Sequence, residues 1–193
     1  MRERLNETER KNQIKTATKK VILKKGLRNV VMDDIMKETG LSRGGLYHHY
    51  GSVNEILYEI MVDGNNRREA LIGKALTLRE EVPFNDLVAN IIVEKMLDEN
   101  EFVSIYAMFL QETRYDEKLK KLYEKLKSES ILSISRLFEG ENSESFKSNS
   151  ELIVDLINSV ILACEVLDTR ANFSSNKEVL KKMIIKALEN KKN

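Results

Sequence analysis

The stretch TGLSRGGLYHHYGS, residues 39–52, contains several residues that typically begin or end helices. Gly40 and Gly51 each close a run of residues with helical character, and Ser42 and Ser52 stand where the next helix would begin. Glycine commonly ends a helix because it adopts left-handed backbone angles, and a serine hydroxyl begins one by accepting a hydrogen bond from a free backbone N–H. The stretch therefore predicts a short helix, preceded by a turn of the length found in helix-turn-helix units.

The residues before this stretch predict two further helices. Apolar side chains recur at helical spacing over residues 8–25, and Gly26 follows them. In MDDIMKET, residues 32–39, Asp33 and Asp34 lie in the first turn, where negative charge suits the helix dipole. Three helices are therefore expected before Gly51.

The remainder of the chain is also predicted to be helical. It has one proline and abundant Leu, Ile, Lys and Glu, which favours an all-α fold. The polar run GENSESFKSNS, residues 140–150, predicts a loop because Gly, Ser and Asn bury little apolar surface. The expected helices after Ser52 are residues 53–80, 84–99, 101–114, 116–139, 150–169 and 175–190.

Charge is distributed unevenly along the 193 residues. The net charge is +1, but the first 50 residues carry twelve Lys and Arg against six Asp and Glu, so they contribute +6 and the rest contributes −5. This asymmetry favours an amino-terminal part that meets a polyanion; a solvated, lysine-rich helix face is the alternative. The charged beginning MRERLNETER and the lack of a long apolar stretch indicate a cytoplasmic protein, and a single cysteine excludes an intrachain disulfide.

The two histidines raise the question of metal or catalytic chemistry. His48 and His49 are neighbours and would project about 100° apart on a helix, which makes them poor joint ligands for a metal. The sequence contains no CxxC, HExxH or GxxxxGK[ST] motif, so no metal or cofactor is expected. An all-helical enzyme with a histidine as general base is the alternative from a different class, and it would need a cleft that brings substrate to that side chain.

The segment MDDIMKETGLSRGGLYHHYGSVNEIL, residues 32–57, resembles the helix-turn-helix signature of the tetracycline-repressor (TetR) family of transcriptional regulators. The resemblance covers about residues 8–60. The positions that match in type and spacing are Ile35, Gly40, Leu41, Ser42, Leu46, Tyr47, Tyr50 and Ile56 or Leu57. Three features depart from it. Val31 stands where the family usually has Thr, Val53 where it usually has Lys, and Met36 and Thr39 replace small residues that are common in the second helix. The first two changes remove a polar contact to the DNA backbone, so affinity is expected either to be weak or to depend instead on Arg2, Arg4, Arg10, Lys11 and Lys15.

The resemblance implies that the third helix lies in the DNA major groove with its first residues at the base edges. Arg43 would pair with O6 and N7 of a guanine, while Gly44 and Gly45 would let the backbone approach the DNA. Leu46 and Tyr50 would face the core. The implied DNA-binding residues are Ser42, Arg43, Gly44, Gly45, Tyr47, His48, His49 and Ser52. For Tyr47 and the histidines, simple coverage of a small domain is the alternative.

The resemblance also implies that the second domain dimerises and encloses an apolar ligand pocket. In EFVSIYAMFLQET, residues 101–113, large apolar side chains occupy more than one helix face. The expected pocket residues are Met96, Phe102, Tyr106, Phe109, Glu112, Tyr123 and Cys164, with Met108, Tyr115 and Phe138 as further candidates. Core packing is the alternative for each of them, and an inert buried thiol is the alternative for Cys164. Glu112 and Glu165 would pair with a cationic ligand or face water.

Two long carboxy-terminal helices are apolar on more than one side, which favours a two-fold interface built from two helices of each subunit. The expected interface residues are Ile153, Ile157, Val160, Ile161, Leu180, Ile184 and Leu188.

Together these features predict a cytoplasmic, non-enzymatic, homodimeric regulator, with a DNA-binding domain over residues 1–52 and a helical ligand-binding and dimerisation domain over residues 53–193. We expect a repressor that releases a palindromic operator in double-stranded DNA when a small, largely apolar effector binds, with no membrane association. The alternative within the same fold is a DNA-binding protein that a protein partner controls, or one without a small-molecule ligand.

Overall fold

The structure is a computed structural model that describes residues 5–76, 82–136 and 141–189. The described residues form ten α-helices and one 3₁₀ turn, without strands, so the predicted all-α fold is confirmed. The helices are α1 Glu7–Lys25, α2 Met32–Thr39, α3 Arg43–Tyr47, α4 Val53–Leu76, α5 Phe84–Leu97, α6 Glu101–Glu112, α7 Glu117–Arg136, α8 Glu141–Leu167, α9 Arg170–Ser175 and α10 Lys177–Glu189, with the 3₁₀ turn at Leu27–Asn29.

The predicted helix ends around α3 are present. Gly40 has a left-handed backbone with φ of 70° and ends α2. The Ser42 hydroxyl accepts a hydrogen bond from the Gly45 N–H at 3.1 Å, and the Ser52 hydroxyl accepts one from the Glu55 N–H at 3.3 Å. Local capping therefore fixes the turn between α2 and α3 and the start of α4.

Helix α2 begins without the hydroxyl that a threonine would supply. Val31 stands before its first residue, and the Val31 N–H donates instead to the Asp34 carboxylate at 3.1 Å. Lys25 contacts the same carboxylate at 2.6 Å. The hydrogen bond from Lys25, followed by that from Val31, lowers the pKa of Asp34. The acidic first turn thus provides a cap from within α2.

The first hydrophobic cluster forms the amino-terminal head, which we define as α1, α2, α3 and the first two turns of α4. Its fully buried side chains include Ile14, Ile35, Leu46 and Leu57. Phe109 of α6, also fully buried, belongs to the same cluster. The head core therefore extends past residue 52 into α4 and receives side chains from α6 and α7.

The second hydrophobic cluster lies between α5, α8 and α10. The prediction of a loop over residues 140–150 is wrong for the described residues 141–150, because α8 begins at Glu141; residue 140 lies outside the described ranges. Phe146 is buried in this cluster, and the Ser150 hydroxyl donates to the Lys147 carbonyl at 2.9 Å inside the helix. One aromatic anchor and intrahelical hydrogen bonds thus keep a polar segment helical.

Candidate nucleic-acid interface and internal cavity

Helix α3 presents polar side chains to solvent and the predicted core residue Leu46 to the interior, while His49, expected to contact DNA, is half-buried. Leu46 is fully buried and Tyr50 is 3% exposed, whereas Arg43, Tyr47 and His48 are exposed. The Arg43 guanidinium lies 5.6 Å from the centre of the Tyr47 ring. The outer surface therefore carries the Arg43 cation and the rings of Tyr47 and His48. Buried Leu46 and Tyr50 fix this segment on the head.

The two glycines of α3 differ in their surroundings. A Cβ atom added to Gly44 would meet no atom within 4 Å, whereas one added to Gly45 would lie 3.2 Å from the Ser42 hydroxyl that caps the helix. Gly45 is thus confined by the cap. Nothing within the described part of the chain requires Gly44 to lack a side chain, although glycine costs a helix about 1 kcal/mol relative to alanine.

The lysines of α1 that could assist DNA binding are held by acidic residues of α4. Lys11 lies 2.9 Å from Glu59, and Lys15 lies 2.5 Å from Asp63. The Tyr50 hydroxyl also donates to Glu59, at 2.6 Å. Burial raises the pKa of Glu59, but the hydrogen bonds from Tyr50 and Lys11 outweigh it and the pKa is lowered.

These pairs tie α1 to α4 and partly neutralise the two lysines. Arg10 donates to Gln13 at 2.6 Å, and Arg2 and Arg4 lie outside the described residues.

Polar groups at the start of α4 are hydrogen-bonded to one another rather than free to contact DNA. Val53 is half-buried and offers no donor. The Glu55 carboxylate accepts a hydrogen bond from the Gly51 N–H at 2.8 Å, and the Ser52 hydroxyl serves as the cap. A carboxylate at this position opposes an approaching phosphate, so Ser52 and Val53, as the residues present, offer the DNA backbone no free side-chain donor.

An internal cavity of about 70 Å³ lies between α4, α5, α6, α7 and α8. Four predicted pocket residues line it: Phe102, Tyr106, Phe109 and Tyr123. The other apolar side chains around it include Ile72, Val88, Ile92, Leu126, Ile134, Phe146, Ile153 and Ile157. A larger cleft of about 640 Å³ adjoins the cavity and shares Arg68, Ile91, Lys95, Phe102 and Tyr106 with it.

Polar side chains form a short network on the cavity wall. The Tyr106 hydroxyl donates to Asn158 Oδ1 at 3.0 Å, and Asn158 Nδ2 donates to the Tyr123 hydroxyl oxygen at 2.8 Å. Burial raises the pKa of Tyr106 to about 12, so its hydroxyl stays protonated. The cavity therefore combines an apolar interior with a fixed set of hydrogen-bonding groups, as small-molecule sites do.

Two cations at the cavity were missed by sequence reasoning. Burial lowers the pKa of Arg68, and it lowers the pKa of Lys95 well below the ordinary value, with Arg68 as a further cause. A signal was available: Lys95 follows Val88 and Ile92 on the apolar stripe of α5, and Arg68 falls between Met61 and Ile72 on α4.

The remaining predicted pocket residues lie elsewhere. Met96 and Cys164 are buried in the second cluster, away from the cavity lining. Glu112 accepts from Arg28 Nε at 2.9 Å and joins α6 to the head. Glu165 pairs with Arg170 and accepts from the Ser104 hydroxyl at 2.8 Å. The further candidates are also placed elsewhere: Met108 packs against the first cluster, Tyr115 is exposed, and Phe138 lies outside the described residues.

The seven residues predicted for the dimer interface are buried within the single chain. They are Ile153, Ile157, Val160, Ile161, Leu180, Ile184 and Leu188, each at most 8% exposed. They pack on neighbouring helices of their own subunit, and Ile153 and Ile157 also line the cavity, so none of them can supply an outward face. The exposed apolar residues of α8 and α10 are Leu152, Val166, Leu167, Val179 and Met183.

Two possible features are not found among the described residues. No group of three or more His, Cys, Asp and Glu side chains there is placed to hold a metal ion. No helix in the described ranges is both long and apolar enough to cross a bilayer.

Comparison with known proteins agrees with this geometry. Residues 14–60 match the sequence model of the bacterial regulatory proteins of the tetR family. No curated protein sequence matches the chain.

Solved structures match nearly the whole chain. GusR of Salmonella enterica has a TM-score of 0.74 and 16% identity over 96% of this chain and 98% of its own. The fatty acid degradation regulator FadR from Bacillus halodurans has a TM-score of 0.68 and 13% identity, covering 98% of this chain and all 100% of its own. A Rhodococcus sp. protein assigned as a TetR-family transcriptional regulator has a TM-score of 0.60 and 15% identity over 94% and 97%. The chain therefore carries a TetR-family domain at residues 14–60, and its described residues share the fold of these regulator structures.

Proposed function

We propose that this protein is a cytoplasmic, non-enzymatic transcriptional repressor that binds operator DNA as a homodimer and releases it when a small molecule occupies the cavity. The observation that carries the DNA-binding role is the surface of α3, where Gly44 is open to the outside and flanked by exposed Arg43 and Tyr47. Glycine destabilises a helix, and no contact within the described chain requires glycine at position 44. The missing side chain instead leaves the α3 backbone open for close approach to a DNA groove.

On DNA, α3 lies in the major groove with its amino-terminal residues at the base edges. Arg43 donates two hydrogen bonds to a guanine, and Tyr47 and His48 lie on the same exposed surface. Because Val53 and the capped start of α4 offer the backbone little, affinity depends on α3 and on the net charge of +6 in the first 50 residues. Such binding weakens steeply with salt, since bound Lys and Arg displace counterions from the DNA.

Helix α6 supports the coupling between the cavity and DNA binding. Phe102, Tyr106 and Phe109 line the cavity from this helix, and Phe109 also belongs to the head core. At the end of α6, Glu112 is paired with Arg28 of the head. A ligand that displaces α6 therefore displaces the head. It can shift operator affinity only to the extent that it binds one position of the head more tightly than the other.

Dimerisation uses the outer faces of α8 and α10. Leu152 and Val166 on α8 and Val179 and Met183 on α10 are each about half exposed, at 48% to 55%. The two helices pack against each other, so their exposed apolar residues can form one surface. Two such pairs related by a two-fold axis form a four-helix interface and match the symmetry of a palindromic operator.

The test is selection of bound duplexes from a pool of random DNA. The wild-type protein should enrich a palindrome, and Arg43→Ala should lose preference at one base position per half-site, at a cost of about 1–3 kcal/mol. Enrichment of no sequence by a folded wild-type protein would contradict the proposal.

A further inference from the structure

We propose that the cavity and its adjoining cleft bind an amphipathic organic anion, whose acidic group pairs with Arg68 and Lys95 and whose apolar part enters the cavity beside Phe102 and Phe109. Its role as effector rests on the proposed function above, whereas its binding does not. The sequence alone suggested a largely apolar ligand or a cationic one, and the structure assigns the opposite charge.

Neither Arg68 nor Lys95 has an acidic partner in the described part of the chain. Arg68 contacts the Ser130 hydroxyl at 3.5 Å, which is a weak and uncharged partner, and no carboxylate among the described residues pairs with Arg68 or Lys95. Both side chains line the cavity and the cleft. They are therefore available to a ligand that enters either space.

Two of the three carboxylates that line the cleft have a cationic partner. Asp63 pairs with Lys15 at 2.5 Å, and Glu94 pairs with Lys177 at 3.0 Å. Asp98 accepts from the uncharged Asn100 Nδ2 at 2.6 Å and keeps its negative charge. Arg68 and Lys95 outnumber it, so the charge that has no ionic partner among the described residues of the site is positive on balance.

An unpaired cation in an apolar site costs folding free energy, and two such cations side by side also repel each other. Burial lowers the pKa of both groups, and Arg68 further lowers the pKa of Lys95, which is the response expected of charges without a partner. A bound anion removes both penalties and gains hydrogen bonds to charged donors.

The shape of the site places the two ends of the ligand. The inner cavity of about 70 Å³ is lined mainly by apolar side chains, while the cleft of about 640 Å³ is more open. Arg68, Lys95 and Tyr106 belong to both spaces, so they lie at the junction. The acidic group fits at the junction, with the apolar part directed inward.

The test compares three probes that share an eight-carbon chain: octanoate, 1-octanol and octyltrimethylammonium. Calorimetric titration of the wild-type protein should show octanoate binding at least about tenfold more tightly than 1-octanol, and no binding of the ammonium compound. Lys95→Met and Arg68→Met should each lower octanoate affinity by about tenfold or more and leave 1-octanol affinity unchanged.

Lys127→Met is the matched control. Lys127 also lines the cavity but is paired with Asp155 at 3.4 Å, so its loss should change octanoate affinity less than about threefold. Without ligand, Lys95→Met and Arg68→Met should melt at a higher temperature than the wild type, because a half-buried charge without an acidic partner is gone. A cation that merely supports the fold would instead lower the melting temperature when removed.

Equal binding of octanoate and 1-octanol, no octanoate binding, or wild-type octanoate affinity in Lys95→Met and Arg68→Met would each overturn the assignment. Operator affinity without ligand separates this inference from the proposed function, since both variants should bind the selected operator like the wild type. Normal operator binding without octanoate binding refutes the anion site alone. Failure of the wild type to select DNA refutes the regulatory role and leaves the binding result standing.

Discussion

Gly44→Ala should stabilise the protein and weaken its binding to DNA. The new methyl group meets no atom of the chain within 4 Å, and Gly44 has no positive φ that would strain alanine. The helix-propensity gain of about 0.5–1 kcal/mol is therefore expected in full. For a chain of this size, it corresponds to a rise in melting temperature of about 1–4 °C, which scanning calorimetry can resolve.

On DNA, the same methyl group lies on the surface that faces the groove. If the backbone of α3 contacts the bases closely, the methyl group must displace the helix, and overpacking of this kind costs about 1–3 kcal/mol. Affinity for the selected operator should fall about 5- to 150-fold, measured by fluorescence anisotropy of a labelled duplex.

The chain offers a matched control in Gly73, which also lies within a helix and would also meet nothing within 4 Å. Gly73→Ala should give a comparable gain in stability and leave operator affinity unchanged. A stabilised Gly44→Ala protein with wild-type affinity would show that α3 does not approach DNA through Gly44. A destabilised one would show that the surroundings of α3 differ from those described.

Three further predictions follow from the head, the outer surface and the cavity. In binding titrations over a salt series, Val53→Lys should raise affinity for operator and non-operator DNA alike and steepen the salt dependence by about one phosphate contact. Equal DNA affinities of the variant and the wild type at every salt concentration would show that the start of α4 lies away from the DNA backbone. Met183→Glu, at a half-exposed site, should give folded monomers in analytical ultracentrifugation, whereas Ile184→Glu, at a site 1% exposed, should destabilise the fold. A dimeric Met183→Glu protein would show that the dimer interface does not include Met183. Lys95 has a pKa well below 10.5 in the folded chain, so between that lowered pKa and pH 10.5 the unfolded chain binds more protons and the free energy of unfolding should rise with pH. In denaturant titrations at several pH values, Lys95→Met should remove this part of the rise, while the nearby Arg68 stays charged. A variant with the wild-type pH profile would show that Lys95 does not titrate in this range.

The head could be predicted from sequence because its signals are local. The apolar spacing of α1 and α2, the left-handed Gly40 and the capping hydroxyls of Ser42 and Ser52 all act within a few residues. The resemblance to the TetR-family signature in the same short segment implied that Leu46 and Tyr50 are buried and Arg43 exposed, as the structure places them. Little tertiary information is needed to place these residues.

The second domain could be predicted only in outline, because the environment of each helix face depends on its neighbours. Periodicity shows that Ile157 and Ile184 lie on apolar faces, but only the packing of α5, α8 and α10 shows that they are internal. The partner of Glu112 is Arg28, 84 residues earlier, which no local pattern reveals. The position of Lys95 on an apolar stripe was visible, yet the same pattern fits a lysine whose stem packs on the core while its ammonium group reaches water.

In the proposed complex, the two heads of one dimer bind successive major grooves of a palindromic operator. This arrangement can be tested by the affinity of the wild-type protein for its selected operator and for the same duplex with about five base pairs, half a helical turn, inserted at the centre of symmetry. The insertion should abolish dimer binding, because one half-site then faces away from its head. A second such insertion, which restores the face of the helix, should not bring back full affinity, since the heads are then about one turn too close. Unchanged affinity for the duplex with the half-turn insertion would refute the arrangement, because each chain would then bind DNA independently.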